Sequence, residues 1–177
     1  MAAVNRYLRG DTKEVECDVH GNVVVEKGDF CVIMKTNNML SNGKIATTTA
    51  DWYLYPVSYL AGVTPYYFDA NFAGIAMKGS ISGTTEKVPV ATAGIFRYPL
   101  KTQTGVTVGQ YVSGATSSAT TMSAQIVVSK KASERTDEYY GVVGTCVKTE
   151  AGATNCDFGL MSRFSGVSYS TLIQTGD

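Results

Sequence analysis

The chain has 177 residues and a mass of 18.9 kDa, the size of one ordinary domain, long enough to bury about two thirds of the surface its unfolded form exposes. Fifteen Lys and Arg balance fifteen Asp and Glu, so no global field draws the protein to nucleic acid or to an anionic membrane. Apolar runs fall far short of the roughly 20 residues that span a bilayer, and MAAVNRYLRGD lacks the apolar core of a secretory signal, which predicts a protein that stays where it is made.

Eighteen glycines, eleven tyrosines and only 17% charged residues suit strands and turns, so the chain reads as all-β. Residues 1–13 read as an N-terminal arm whose Arg6, Tyr7 and Arg9 are candidates to lie along an acidic partner surface. In EVECDV, Val15, Cys17 and Val19 alternate with Glu14, Glu16 and Asp18, the period of a half-buried strand. His20 to Asn22 then reads as a turn, and VVVEKGDFCVIM resumes extended chain on both sides of Lys27-Gly28-Asp29.

Further strands are expected at Ala73 to Met77, Lys87 to Ala91, Gly94 to Tyr98, Gln110 to Ser113, Gln125 to Val128, Gly141 to Lys148 and Asn155 to Arg163. Pro89 is expected at an edge or a bulge, because it has no N–H for a ladder. Between the strands lie SNGK, GSISGTTE, TQTG, SGATSSATT and EAGAT, all with turn chemistry, and the charged run Lys130 to Tyr140 reads as a solvated loop or a single turn.

The strands repeat. VEKGDFCV resembles VTVGQYVS in its glycine, acid or amide, aromatic and valine; FAGIAMKG is echoed by YYGVVGTCVK, and VPVATAGIF by NCDFGLMSRF. This predicts two half-units, 14–100 and 101–177, within a single β domain spanning 14–177, which pair their open edges with each other to form one closed small β-barrel or sandwich, since neither half could bury its apolar face alone. An insert at 51–72 has no counterpart in the second half. Its Trp52, Tyr53, Tyr55, Tyr59, Tyr66, Tyr67 and Phe68 form a candidate protein interface, since large rigid rings with polar tips concentrate at contact surfaces. Alternation would send Trp52 and Leu54 to one side of this segment and Tyr53 and Tyr55 to the other.

Catalytic signatures are missing. His20 is the only histidine and sits in a turn, GSISG fails the nucleophile-elbow spacing because Ile81 takes the central place, and no phosphate loop, dinucleotide fingerprint or metal-ligand spacing is present. The expectation is a non-enzyme without catalytic residues, cofactor or metal. Cys17, Cys31, Cys146 and Cys156 show no C-x-x-C spacing and read as buried reduced thiols.

Together VVVEKGDFCVIM, FAGIAMKG, VPVATAGIFRY, VTVGQYVSG and YYGVVGTCVK resemble the capsid decoration, or head cement, proteins of tailed bacteriophages. The likeness covers Val23 to Phe164. It departs in the aromatic insert and in the second half, where Gln110 replaces the usual acid and Val143-Gly144 follow the Gly141-Val142 step. It implies a β-rich structural protein that binds the outer surface of an assembled capsid, contacts the major capsid protein, self-associates as a trimer or dimer, and resides in the virion. The competing expectation is a carbohydrate- or receptor-binding module of a head fibre, with the same aromatics as stacking platforms.

Overall fold

A computed structural model describes residues 6–9, 13–35, 52–59, 71–82, 84–101, 106–116, 122–130, 142–149 and 154–162. Among them the chain is β-structure throughout: β1 (Arg6–Arg9), β2 (Glu14–Val19), β3 (Phe30–Lys35), β4 (Trp52–Pro56), β5 (Phe72–Ala76), β6 (Glu86–Ala91), β7 (Ile95–Pro99), β8 (Tyr111–Thr116), β9 (Met122–Lys130), β10 (Val142–Lys148) and β11 (Asn155–Leu160). A short 3-10 turn, Val57–Tyr59, follows β4. The run 131–140 and the residues after Ser162 lie outside the described residues.

Strands β2-β4-β3-β5-β6 close into a barrel, and β1-β7-β11-β10-β8-β9 form a second sheet. The two half-units are therefore separate sheets and do not pair their edges with each other as expected: the first closes on itself, and the second ends in β1 and β9. The break between them falls between Ala91 and Ile95, earlier than the 100/101 boundary read from the sequence, because β7 pairs with β11 and β1.

The duplication is residue for residue. In the first unit Phe30, Cys31 and Val32 face Ile75, Gly74 and Phe72; in the second Tyr111, Val112 and Ser113 face Thr145, Gly144 and Val142, with the same break in register at the same place. The ladder Val15 to Val90 and Glu16 to Pro89 is matched by Phe96 to Phe158 and Arg97 to Asp157. The link that closes the barrel recurs as a single bridge: Val19 meets Leu54 in parallel, and Leu100 meets Val127 in parallel, so β4, expected to belong to an insert without a counterpart, is matched by β9.

The turn that opens β3 and β8 shows why an acid or an amide recurs after the glycine. Asp29 N–H donates to the Glu26 carbonyl at 3.1 Å, and the Asp29 carboxylate accepts the Glu26 N–H at 2.8 Å. Gln110 N–H and side chain do the same with Thr107, at 3.1 and 2.8 Å. Gly28 and Gly109, third in each turn, have φ of 92° and 88°, a conformation that suits a residue without Cβ. Each glycine then donates its N–H into the fifth or tenth strand, Gly28 to Ala76 at 2.8 Å and Gly109 to Cys146 at 2.9 Å.

These matches also correct the echo in register. FAGIA and YYGVVG align by eye on Gly74 and Gly141, but the ladders equate Gly74 with Gly144. A Cβ on Gly74 would stand 2.0 Å from the Ala91 carbonyl oxygen, and one on Gly144 would stand 2.2 Å from that of Gly159. Close approach of two backbones selects glycine there. Pro89 is not at an edge: it lies in β6 between β2 and β5. Its carbonyl accepts from Met77, just past the end of β5, so its missing N–H falls where that ladder has run out.

The cores of the two units meet. Phe30 stacks on Tyr98 with ring centroids 4.7 Å apart, and both contact Phe158, while Phe72 meets Phe30 edge-on at 6.3 Å. All four are fully or almost fully buried. Such ring pairs contribute about 0.5–1.5 kcal/mol each beyond the area they bury. The Tyr98 hydroxyl, which belongs to the second unit, donates to the Gly28 carbonyl of the first, so the repeated turn is part of the joint.

Candidate interaction surface

The aromatic segment was expected to present its rings at a surface, and the structure divides it. Tyr55 is completely buried, which removes it from any interface. Leu54 beside it is equally buried, so the expected alternation ends there: successive residues of β4 are enclosed on both faces, and the 57–59 turn that follows packs against β9. Tyr59 is half-buried and stacks on Tyr55 with centroids 6.0 Å apart. Trp52 and Tyr53 are half-buried at the start of β4, and Tyr53 meets the His20 ring edge-on at 5.2 Å. Trp52, Tyr53 and Tyr59 thus keep part of their surface on one strand and its turn, whereas Tyr66, Tyr67 and Phe68 lie outside the described residues.

Arg6, Tyr7 and Arg9 form β1, an edge strand that pairs antiparallel with β7, Arg6 opposite Arg97, Tyr7 opposite Phe96 and Arg9 opposite Ile95. Their backbone is integrated into the second sheet. An arm lying free along a partner is not what these residues make.

Buried ionisable groups have structural occupations. Asp29 is 5% exposed; it accepts from Glu26 N–H and from Gln125 Nε2, and burial, its largest influence, raises its carboxyl above the usual range. Asp157 holds Arg97 through two contacts, Nε to Oδ1 at 2.6 Å and Nη2 to Oδ2 at 2.9 Å, a bidentate pair directly across the β7–β11 ladder. The first serine of GSISG is likewise engaged: Ser80 Oγ accepts from Val25 N–H at 2.8 Å, and Ser80 N–H returns a bond to the Val25 carbonyl at 2.8 Å. All four cysteines are free and buried. Among the described residues no cluster of metal-ligating side chains occurs and no helix is long and apolar enough to cross a membrane.

Sequence reasoning missed a surface on the second unit. Val108 at the tip of the 107–110 turn is 66% exposed, and Met161 is 49% exposed. Val108 adjoins the end of β10, where Val147 is also exposed, since Gly109 N–H bonds the Cys146 carbonyl; Met161 lies farther back along the same strand, its N–H on the Val143 carbonyl and its sulfur 3.3 Å from Thr145 Oγ1. The corresponding turn position in the first unit is the charged Lys27. The signal was available in the sequence, since VEKGD and VTVGQ differ at this very place, but only the superposed turns show that Val108 occupies an exposed tip.

Comparison with family models, curated proteins and solved structures gives no match.

Proposed function

We propose that the protein is a structural auxiliary protein of the decoration or cement kind, a non-enzymatic part of a bacteriophage virion that binds the outer surface of an assembled capsid and stabilises it through contacts with the major capsid protein and with copies of itself. The observation that carries this reading is the difference between the two otherwise matching units. Where the first turns Lys27 to solvent, the second exposes Val108 on the same turn, with Val147 exposed on the adjoining end of β10. Apolar side chains on an exposed turn and the strand end beside it serve contact with another protein better than they serve solubility. The resemblance noted above supports the same reading, because its segments are the strands and turns of the duplicated unit.

Binding by such a protein works through mass action. A ligand that recognises only the assembled lattice stabilises it in proportion to the logarithm of its saturation, and symmetry repeats a weak contact many times. The test is light scattering of the purified protein alone and after mixing with expanded capsids that lack it. Depletion from solution by the shells, lost in Val108→Lys, supports the proposal; a protein that ignores the shells sinks it.

Half-exposed Trp52 and Tyr53 favour one second reading, a glycan-stacking face on a head fibre. That reading requires glycan affinity that disappears in Trp52→Ala.

A further inference from the structure

The repeat places two equivalent strand positions in the chain, and the described residues supply one strand for them. In the second unit the first half of β7, Ile95 to Arg97, is flanked by β11 on one side and by β1 on the other, with β9 reaching β7 only at Leu100. In the first unit the matching residues are Glu14, Val15 and Glu16 of β2. They are flanked by β6 on one side, and β4 reaches β2 only at Val19. Among the described residues nothing pairs with Glu14 to Glu16 where β1 pairs with β7.

The main chain of this edge points outward. Pro89 turns its carbonyl toward β5, where it accepts from Met77, so its register partner Glu16 turns N–H and C=O away from β6. Glu14, two residues earlier, does the same. Their side chains are exposed, and Val15 between them is half-buried against the core. An incoming antiparallel strand would therefore meet acid, apolar, acid.

We infer that the β2 edge, Glu14 to Glu16, is a docking slot for an extended basic segment of another polypeptide, added as an antiparallel strand with an apolar residue between basic ones. Three observations converge on that occupant. The filled slot shows the geometry, since β1 binds β7 in this manner. The charges select the sign: a strand of the β1 kind carries arginine opposite Arg97 and Ile95 in its present place, but would set arginine opposite Glu16 and Glu14 on β2. The same charges disfavour two β2 edges pairing with each other, because glutamates would face glutamates. A second copy donating its β1 would fill this slot only by emptying its own β7 slot, with no net strand pairing gained. The inference rests on the duplication and is independent of the capsid reading.

The test uses the full-length protein and a capped synthetic peptide of residues 5–10, NRYLRG, as the basic strand, with a counterpart in which both arginines are glutamates. Amide exchange is read by NMR at Glu14 and Glu16, and at Arg97 as the control for the filled slot. The expected result is rapid exchange at Glu14 and Glu16 in the free protein, slowed about tenfold or more by saturating peptide, with Arg97 unchanged. The acidic peptide has no effect, and the double variant Glu14→Lys, Glu16→Lys, with an unchanged circular dichroism spectrum, binds the basic peptide about tenfold more weakly or worse. Protection of Glu14 and Glu16 without peptide overturns the inference, whether it is independent of protein concentration, meaning the chain fills its own slot, or rises with concentration, meaning a second copy does. Equal binding of both peptides, or none at millimolar concentration, overturns it as well.

Discussion

Gln125 on β9 donates its side-chain amide to the Asp29 carboxylate across the joint between the two units, at 2.9 Å. The other carboxylate oxygen is already taken by the Glu26 N–H of the repeated turn, so one side chain both closes the turn and fastens the second sheet to it. The equivalent turn in the second unit does the first task with an amide, Gln110.

That relationship predicts a pH dependence. Burial is the first cause of the raised Asp29 pKa; hydrogen bonds from Glu26 N–H and Gln125 pull it down, and the Glu26 charge pushes it up again. Between the ordinary and the raised value the folded protein holds a proton that the unfolded chain has lost. The contribution to stability is therefore fully present below about pH 4, the ordinary range, and is lost as pH rises through the raised value. Asp29→Asn removes the titration and keeps both bonds if Gln125 turns its amide over. Urea unfolding of the two proteins between pH 4 and 7 should show the variant gaining on the wild type as pH rises; a constant difference refutes the assignment.

Asp29→Ala should behave otherwise. It removes the acceptor of the Glu26 N–H and the nearer of the two acceptors of the Gln125 amide, whose other is Glu26 Oε2 at 3.5 Å, at a cost of about 1 kcal/mol for each part-buried bond lost. A midpoint unchanged within error in urea would show that the turn does not depend on this side chain.

Glycines at matched places should respond differently to alanine. Gly74→Ala and Gly144→Ala drive a Cβ into a carbonyl oxygen of the neighbouring strand, and Gly74 also has φ of 141°. Each should cost several kcal/mol, on the order of 3 or more, because backbone must move. Gly109→Ala meets nothing within 4 Å and should lose only about 1–2 kcal/mol for its left-handed conformation. Thermal unfolding ranks the three, and a Gly109 variant as damaged as the other two contradicts the geometry.

Two buried tyrosines give opposite expectations. The Tyr98 hydroxyl donates to Gly28, whereas the Tyr55 hydroxyl has no partner among the described residues and burial pushes its pKa up to about 12. Tyr98→Phe should destabilise by about 1 kcal/mol, and Tyr55→Phe should be neutral or slightly stabilising. Equal losses in chemical denaturation would mean that Tyr55 has a hydrogen-bond partner.

Thiol chemistry should be silent in the native state. Burial raises the pKa of Cys17 to about 12 and drives those of Cys31 and Cys156 well up, leaving little thiolate to react. Labelling with a chromogenic disulfide at pH 8 should count none of the four promptly in the native protein and all four in denaturant. Prompt native labelling of any of them contradicts the burial.

By itself the sequence determined the all-β class, the alternation of β2, and the repeated turn, because each depends on neighbours in the chain: a period of two, a glycine with positive φ, an acid or amide one residue later. Tertiary structure decided what those local patterns leave open. Alternation says which face of a strand is apolar but not which strand lies beside it, so the closure of the first unit on itself, the break before Ile95 and the true match of Gly74 with Gly144 emerge only from the pairing. The same holds for surfaces. Tyr55 reverses its expected place because burial is set by what packs across a strand, and β9, which packs against the turn after β4, comes from a distant part of the chain. That no strand among the described residues lies along Glu14 to Glu16 where β1 lies along β7 is visible only from the pairing, since an unpaired backbone leaves no mark on a sequence.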